Sequence, residues 1–140
     1  MYNKILVPVD GSKFAKNAVK HALSIAKSEH VELIALDVVD NSYFLGVSAE
    51  NSIYSVNNVL KEEAGKNLEE IKNIVGEEVK LKTAIVEGSP ANEILKYSEE
   101  NDVDLIVMGS SGKTGFEKFL LGSVADKVVK NSKSSVLVVR

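Results

Sequence analysis

Between positions 109 and 124 the chain reads GSSGKTGFEKFLLGSV, and its glycines are spaced for contact with an anion. Two residues separate Gly109 from Gly112, and nine more precede Gly122-Ser123, where a helical pattern begins. Glycine lets a backbone turn tightly and approach a ligand closely. A helix start offers amide hydrogens without intrahelical partners and a partial positive charge, both suited to phosphate. The amides of Gly109, Gly112, Gly122, Ser123 and Val124 are therefore expected to surround phosphates, with the Ser123 hydroxyl as a further donor. A plainer reading fits the same spacing. The glycines then only make turns, and Ser123 caps a helix with Asp126 completing a capping-box-like pair.

Other chemistry is excluded or left open by residue type. Gly112-Lys113-Thr114 resembles the end of a Walker A loop, but that motif needs a glycine at position 107, which is valine. Lys113 either neutralises phosphate charge or is simply solvated. Asp10, directly after an apolar run, is either an Asx-turn residue or a carboxylate facing a ligand. His21 and His30 have no carboxylate or cysteine at metal-ligand spacing and read as surface residues. The chain has no cysteine, which excludes thiol catalysis and thiolate metal sites and agrees with a reducing compartment. A formal net charge of −3 provides no basic field for nucleic acid.

The elements that must position these residues alternate along the chain. Ile5–Val9, Val31–Val39, Val79–Val86, Leu105–Met108 and Ser135–Val139 are short and rich in Val, Ile and Leu, as strands buried on both faces are. Between them lie helical stripes. Ala15, Ala18, Val19, Ala22, Ile25 and Ala26 form the first, and Leu60, Ala64, Leu68, Ile71 and Val75 the second. A third helix opens at Ser89-Pro90, with serine as N-cap and proline in the first turn, and a fourth begins near Ser123. No apolar segment is long enough for a membrane span, and no signal peptide core is present. The expectation is a cytoplasmic protein with a single domain over residues 1–140.

The β-α-β-α-β-α-β-α-β order predicts an α/β fold, a five-stranded parallel sheet with helices on both faces. In the preferred strand order 3-2-1-4-5 the winding reverses between strands 1 and 4, and ligands bind beyond the carboxyl ends of strands at such a reversal. Strand 1 ends in Val9-Asp10-Gly11-Ser12 and strand 4 in Gly109-Ser110-Ser111-Gly112, so the polar, glycine-rich turns fall at that point. Asp40–Asn57 reads as a long irregular connection. Its Tyr43, Phe44 and Tyr54 suit a lid, a partner surface or satellite packing. Glu99–Asp104 reads as a solvated acidic helix end. A phosphoacceptor receiver domain would need an aspartate ending strand 3, which instead runs TAIVEG.

The combined pattern resembles the universal stress protein family. KILVPVDGS (Lys4–Ser12), LDVVD, DLIVMGSSGKTG and LLGSVADKVVKNSKSSVLVVR carry the resemblance over nearly the whole chain, with Gly109, Gly112, Gly122 and Ser123 at the spacing of its ATP-binding signature. The resemblance implies an adenine nucleotide α-hydrolase-like, Rossmann-like fold with the same strand order. It implies that Pro8, Val9 and Asp10 flank adenine and ribose, that Val38 contacts adenine, and that Met108 packs beneath the nucleoside. Gly109, Ser110, Gly112, Gly122, Ser123 and Val124 would hold ribose and phosphates, with magnesium or manganese bridging the phosphates of ATP. Ser111 and Ser135 depart from the family's pattern, the first in place of a frequent basic residue.

The expected function is an ATP-binding stress-response or signalling module with little or no intrinsic hydrolysis. A slow or partner-dependent ATPase and a nucleotide-free dimeric scaffold of the same fold are the alternatives. Neither a catalytic base nor an arginine finger accompanies the glycines, as phosphoryl transfer usually requires. Strand 5 would lie at a sheet edge with Val136, Leu137, Val138 and Val139 uncovered, and such an edge invites pairing with a second copy. The resemblance implies the same homodimer. No residue names a protein partner.

Overall fold

Strands that are apolar on both sides need helices on both sides, and this requirement organises the molecule. The computed structural model describes residues 1–40, 42, 50–111 and 121–140. Along the chain run β1 (Lys4–Val9), α1 (Lys13–Glu29), β2 (Glu32–Val39), α2 (Glu50–Val75) and β3 (Leu81–Glu87). Then follow α3 (Pro90–Glu100), β4 (Leu105–Gly109), α4 (Ser123–Asn131) and β5 (Ser135–Val139). The strands form one sheet in the order β3-β2-β1-β4-β5, and every neighbouring pair is parallel. The expected fold and strand order are both present.

Each face of the sheet has its own core. Ile5, Val7 and Val9 of β1 and Leu33 and Ala35 of β2 pack against Ala15, Ala18, Val19 and Ala22 of α1 and Leu68 and Ile71 of α2. On the other face Leu6, Ile34, Leu36, Ile106 and Met108 meet Ala91 and Ile94 of α3 and Ala125 and Val128 of α4. Burying each large aliphatic side chain stabilises the fold by about 1.5–3 kcal/mol. Among the described residues no helix is long and apolar enough to cross a membrane.

Two expectations need correction here. The irregular stretch expected over Asp40–Asn57 is shorter, because α2 already begins at Glu50. Its first turns carry Asn51, Ser52, Asn57 and Asn58, poor helix formers that hide the helix from an apolar-stripe reading. Tyr43, Phe44 and the Tyr54 side chain lie outside the described residues. The acidic run Glu99–Asp104 is not all solvated. Asp104 Oδ2 accepts the amides of Asn3 at 2.7 Å and Lys4 at 2.9 Å, pinning the start of β1.

Candidate functional site

The reversal of winding between β1 and β4 leaves a cleft of about 270 Å³ beyond the carboxyl ends of the strands. Pro8 and Val9 of β1 with Asp10 just after it, Leu36 and Val38 of β2 with Asp40 just after it, and Met108 and Gly109 of β4 with Ser110 and Ser111 just after it line the cleft. Pro90 and Ile94 of α3 and Gly122, Ser123, Val124 and Ala125 at the start of α4 complete the wall, with Ala15 of α1 behind. Ten of the eleven expected site residues therefore line one cavity, and the eleventh, Gly112, lies outside the described residues, as does Lys113.

The turn after β1 is built from its own side chains. Asp10 Oδ1 accepts the Ser12 amide at 2.9 Å, and Ser12 Oγ accepts the Ala15 amide at 3.1 Å as the N-cap of α1. Between them Gly11 has φ +83°, a conformation that side-chain-bearing residues rarely adopt. The Asx-turn reading of Asp10 thus holds, and the same residue faces the cleft.

At the opposite wall the start of α4 differs from expectation in two respects. Ser123 is not the cap: Gly122 occupies that position and brings no side chain to it, so no side-chain cap bond is made. As the first residues of a helix, Ser123, Val124 and Ala125 have amides without intrahelical acceptors, and all three line the cleft. The Gly122 amide, expected among the phosphate donors, instead donates to the Ser110 carbonyl oxygen at 2.6 Å. The Ser110 amide in turn donates to Val139 at 2.7 Å, so β4, β5 and the start of α4 are tied at one residue.

Close packing by itself demands glycine at two of these positions. A Cβ on Gly109 would stand 2.8 Å from Phe14 Cβ and 2.9 Å from the Phe14 carbonyl carbon. A Cβ on Gly122 would stand 3.0 Å from the Ser110 oxygen.

The described lining holds two carboxylates, Asp10 and Asp40, and no lysine, arginine or histidine. Sequence reasoning missed Asp40 although it closes the LDVVD run, one residue beyond the end of a strand that faces the cleft. It also missed Leu36 and Ile94, whose apolar types look like ordinary core. Groups with shifted protonation lie at the other end of the sheet. The Tyr2 amide holds the Glu29 carboxyl below its ordinary range, and a hydrogen bond from Lys80 does the same for Glu32. His21 and His30 are exposed, as expected.

With this geometry in place, similarity to known proteins is informative. The Universal stress protein family model matches residues 1–140. Universal stress protein MJ0531 of Methanocaldococcus jannaschii is 48% identical over 141 residues, covering 100% of this chain and 83% of that protein.

The chain belongs to the universal stress protein family.

Among solved structures, that of M. jannaschii MJ0577, used to assign the protein's biochemical function, superposes with a TM-score of 0.89 at 41% identity. It covers 99% of this chain and 96% of that one. A universal stress protein crystallised in complex with cAMP superposes with a TM-score of 0.66 at 25% identity, over 99% of this chain and 97% of the other. In family terms, the cleft at the strand reversal of this universal stress protein is the feature that needs a function.

Proposed function

We propose that the cleft binds an adenine nucleotide, with ATP as the preferred ligand, and that the protein acts as a stress-response or signalling module. One observation carries this reading. A helix start with no side-chain cap bond and the Asp10 turn both line the cleft at the strand reversal, where α/β sheets bind ligands. The amides of Ser123 and Val124 and the Ser110 side chain hold phosphate oxygens, and the Ser123 hydroxyl adds a donor. Asp10 accepts a ribose hydroxyl, Pro8, Val9 and Val38 flank the adenine, and Met108 packs beneath the nucleoside. Gly109 and Gly112 complete the phosphate side. The family relative that holds cAMP supports an adenine ligand class.

Among the described residues no group of three or more His, Cys, Asp or Glu is disposed to hold a metal ion. A magnesium or manganese ion would therefore take most of its ligands from phosphate oxygens and water, as magnesium at nucleotide sites commonly does. Such an ion would offset the repulsion between polyphosphate and the two lining carboxylates. Little intrinsic hydrolysis goes with this reading, as do a cytoplasmic setting, a single domain and a homodimer paired along β5.

Mass spectrometry of the nucleotide retained by undialysed protein, followed by calorimetric titration with ATP, AMP and cAMP, tests the proposal. Retention of an adenine nucleotide and tight ATP binding are expected. Absence of binding to all three would favour the nucleotide-free scaffold.

A further inference from the structure

Behind the site, on the face of the sheet away from α3 and α4, sits a buried carboxylate that is not part of the cleft wall. Asp37 of β2 is 5% exposed and pairs in register with Val9 of β1. Leu36 and Val38, its neighbours in the strand, line the cleft, so the alternation of a strand turns Asp37 to the side of α1 and α2. A buried carboxylate requires hydrogen-bond donors. Asn67, in the middle of α2, supplies one: its Nδ2 donates to Asp37 Oδ2 at 3.0 Å.

The same amide packs against the turn that follows β1. A Cβ on Gly11 would stand 2.7 Å from Asn67 Oδ1, 3.1 Å from Cγ and 3.3 Å from Nδ2. The Asn67 amide, oxygen foremost, therefore fills the space a side chain at Gly11 would need, at the residue with φ +83° between Asp10 and Ser12. One turn further along α2, Glu70 pairs with Lys16 of α1 at 2.7 Å, where the two helices lie side by side. The turn that aims Asp10 is thus fixed from within by the Ser12 amide and from behind by Asn67.

We propose that Asn67 and Asp37 are a positioning pair that sets the Asp10–Ser12 turn, and through it the grip of the site on a ribose hydroxyl. This rests on the adenine-nucleotide reading of the cleft. Asp37 orients the Asn67 amide, the amide bars the Gly11 turn from relaxing into the gap between α1 and α2, and the turn keeps the Asp10 carboxylate aimed at the sugar. Neither residue contacts the ligand. A merely structural pair would lower stability and leave the preference for a hydroxylated sugar unchanged.

Calorimetric titration with ATP and with 2′,3′-dideoxy-ATP separates these roles. Asn67→Leu keeps the volume and removes the donor. It should weaken ATP binding about tenfold, the scale of one charge-assisted hydrogen bond, and dideoxy-ATP binding by less than about threefold. Asp37→Asn retains an oxygen acceptor for Asn67 and should keep wild-type preference between the two nucleotides. Combined with Asp10→Ala, Asn67→Leu should cost nothing more, because the group it positions is gone. Should Asn67→Leu fail to fold with a carboxylate beside it, the Asp37→Leu, Asn67→Leu double variant carries no buried charge and takes its place. Equal losses for both nucleotides, or full additivity with Asp10→Ala, would overturn the positioning role while leaving the site intact. A wild-type protein that binds neither nucleotide would overturn the site and the pair together.

Discussion

Gly109 at the end of β4 and Phe14 in the first turn of α1 are in backbone contact: a Cβ on the glycine would lie 2.9 Å from the Phe14 carbonyl carbon. The strand and helix approach as closely as they do because position 109 has no side chain. Gly109→Ala forces main chain, not a flexible side chain, to move, and overpacking of this kind costs about 1–3 kcal/mol. Urea denaturation should show a lower midpoint at unchanged slope. A midpoint equal to wild type would mean that α1 yields freely. Loss of nucleotide binding in a bulkier variant here does not by itself locate phosphate.

Ser123→Ala is the cleaner probe of the phosphate side. It removes one exposed hydroxyl and leaves the amides of α4 in place, so ATP affinity should fall by about 0.5–1.5 kcal/mol for a neutral bond and somewhat more for one to a charged phosphate. Titration calorimetry with circular dichroism as a control reads the effect. Complete loss of binding in a natively folded variant would contradict a backbone-dominated site.

Phosphate release from ATP by highly purified protein should stay near the uncatalysed background, and Asp10→Ala should not change it. The reason is chemical: the Asp10 carboxylate is engaged in holding its own turn through Oδ1. Fast release abolished by Asp10→Ala would place the protein among enzymes.

For assembly, the open edge of β5 makes a directional prediction. The Val139 carbonyl accepts from Ser110 on the β4 side, so Val138, one residue earlier, points its amide to the open edge. Leu137 is 37% exposed there. Val138→Pro removes that outward donor and should shift a dimer to monomer in light scattering across concentration. A dimer undiminished in the variant would move the interface elsewhere, and a monomeric wild type would refute it.

How much of this was legible beforehand depended on what kind of contact each residue makes. Ile5–Val9 and Leu105–Met108 announced themselves because strands buried on both faces have unbroken apolar runs. The reversal between β1 and β4 then located the cleft from connectivity alone. The first turns of α2 stayed hidden, since Asn57 and Asn58 carry no apolar stripe. Two tertiary facts were beyond reach. Nothing in the spacing of Gly109 indicates Phe14 behind it, and nothing in Gly122 indicates that its amide is taken by Ser110. The glycine pattern led to residues that line the cleft, but packing against Phe14 and Ser110 also demands glycine there.

Stability against acid should report the Glu32–Lys80 pair, 2.9 Å apart at the start of β2. The hydrogen bond from Lys80 lowers the Glu32 pKa, and the same bond raises that of Lys80. A depressed carboxylate contributes stability above its ordinary range and loses it as pH falls through the lowered value. A raised lysine contributes below its ordinary range and loses it as pH rises through the raised value. The difference in stability between wild type and Glu32→Gln should therefore be flat around neutral pH, shrink in acid and in strong base, and diminish with salt. A difference that grows on acidification would reverse the assignment.

The bond from the Gly122 amide to the Ser110 oxygen has a further consequence for engineering. It fastens together the two ends of the segment between those residues, with the anchor lying outside the segment itself. For a flexible insertion between clamped ends, each doubling of length costs only about 0.6 kcal/mol of closure entropy. Reporter peptides or a circularly permuted fluorescent domain inserted between Ser111 and Leu121 should therefore leave β4 and α4 in register. Such a graft would begin and end beside Ser111 and Gly122, two residues of the cleft wall, and so bring a fluorescent reporter close to the ligand.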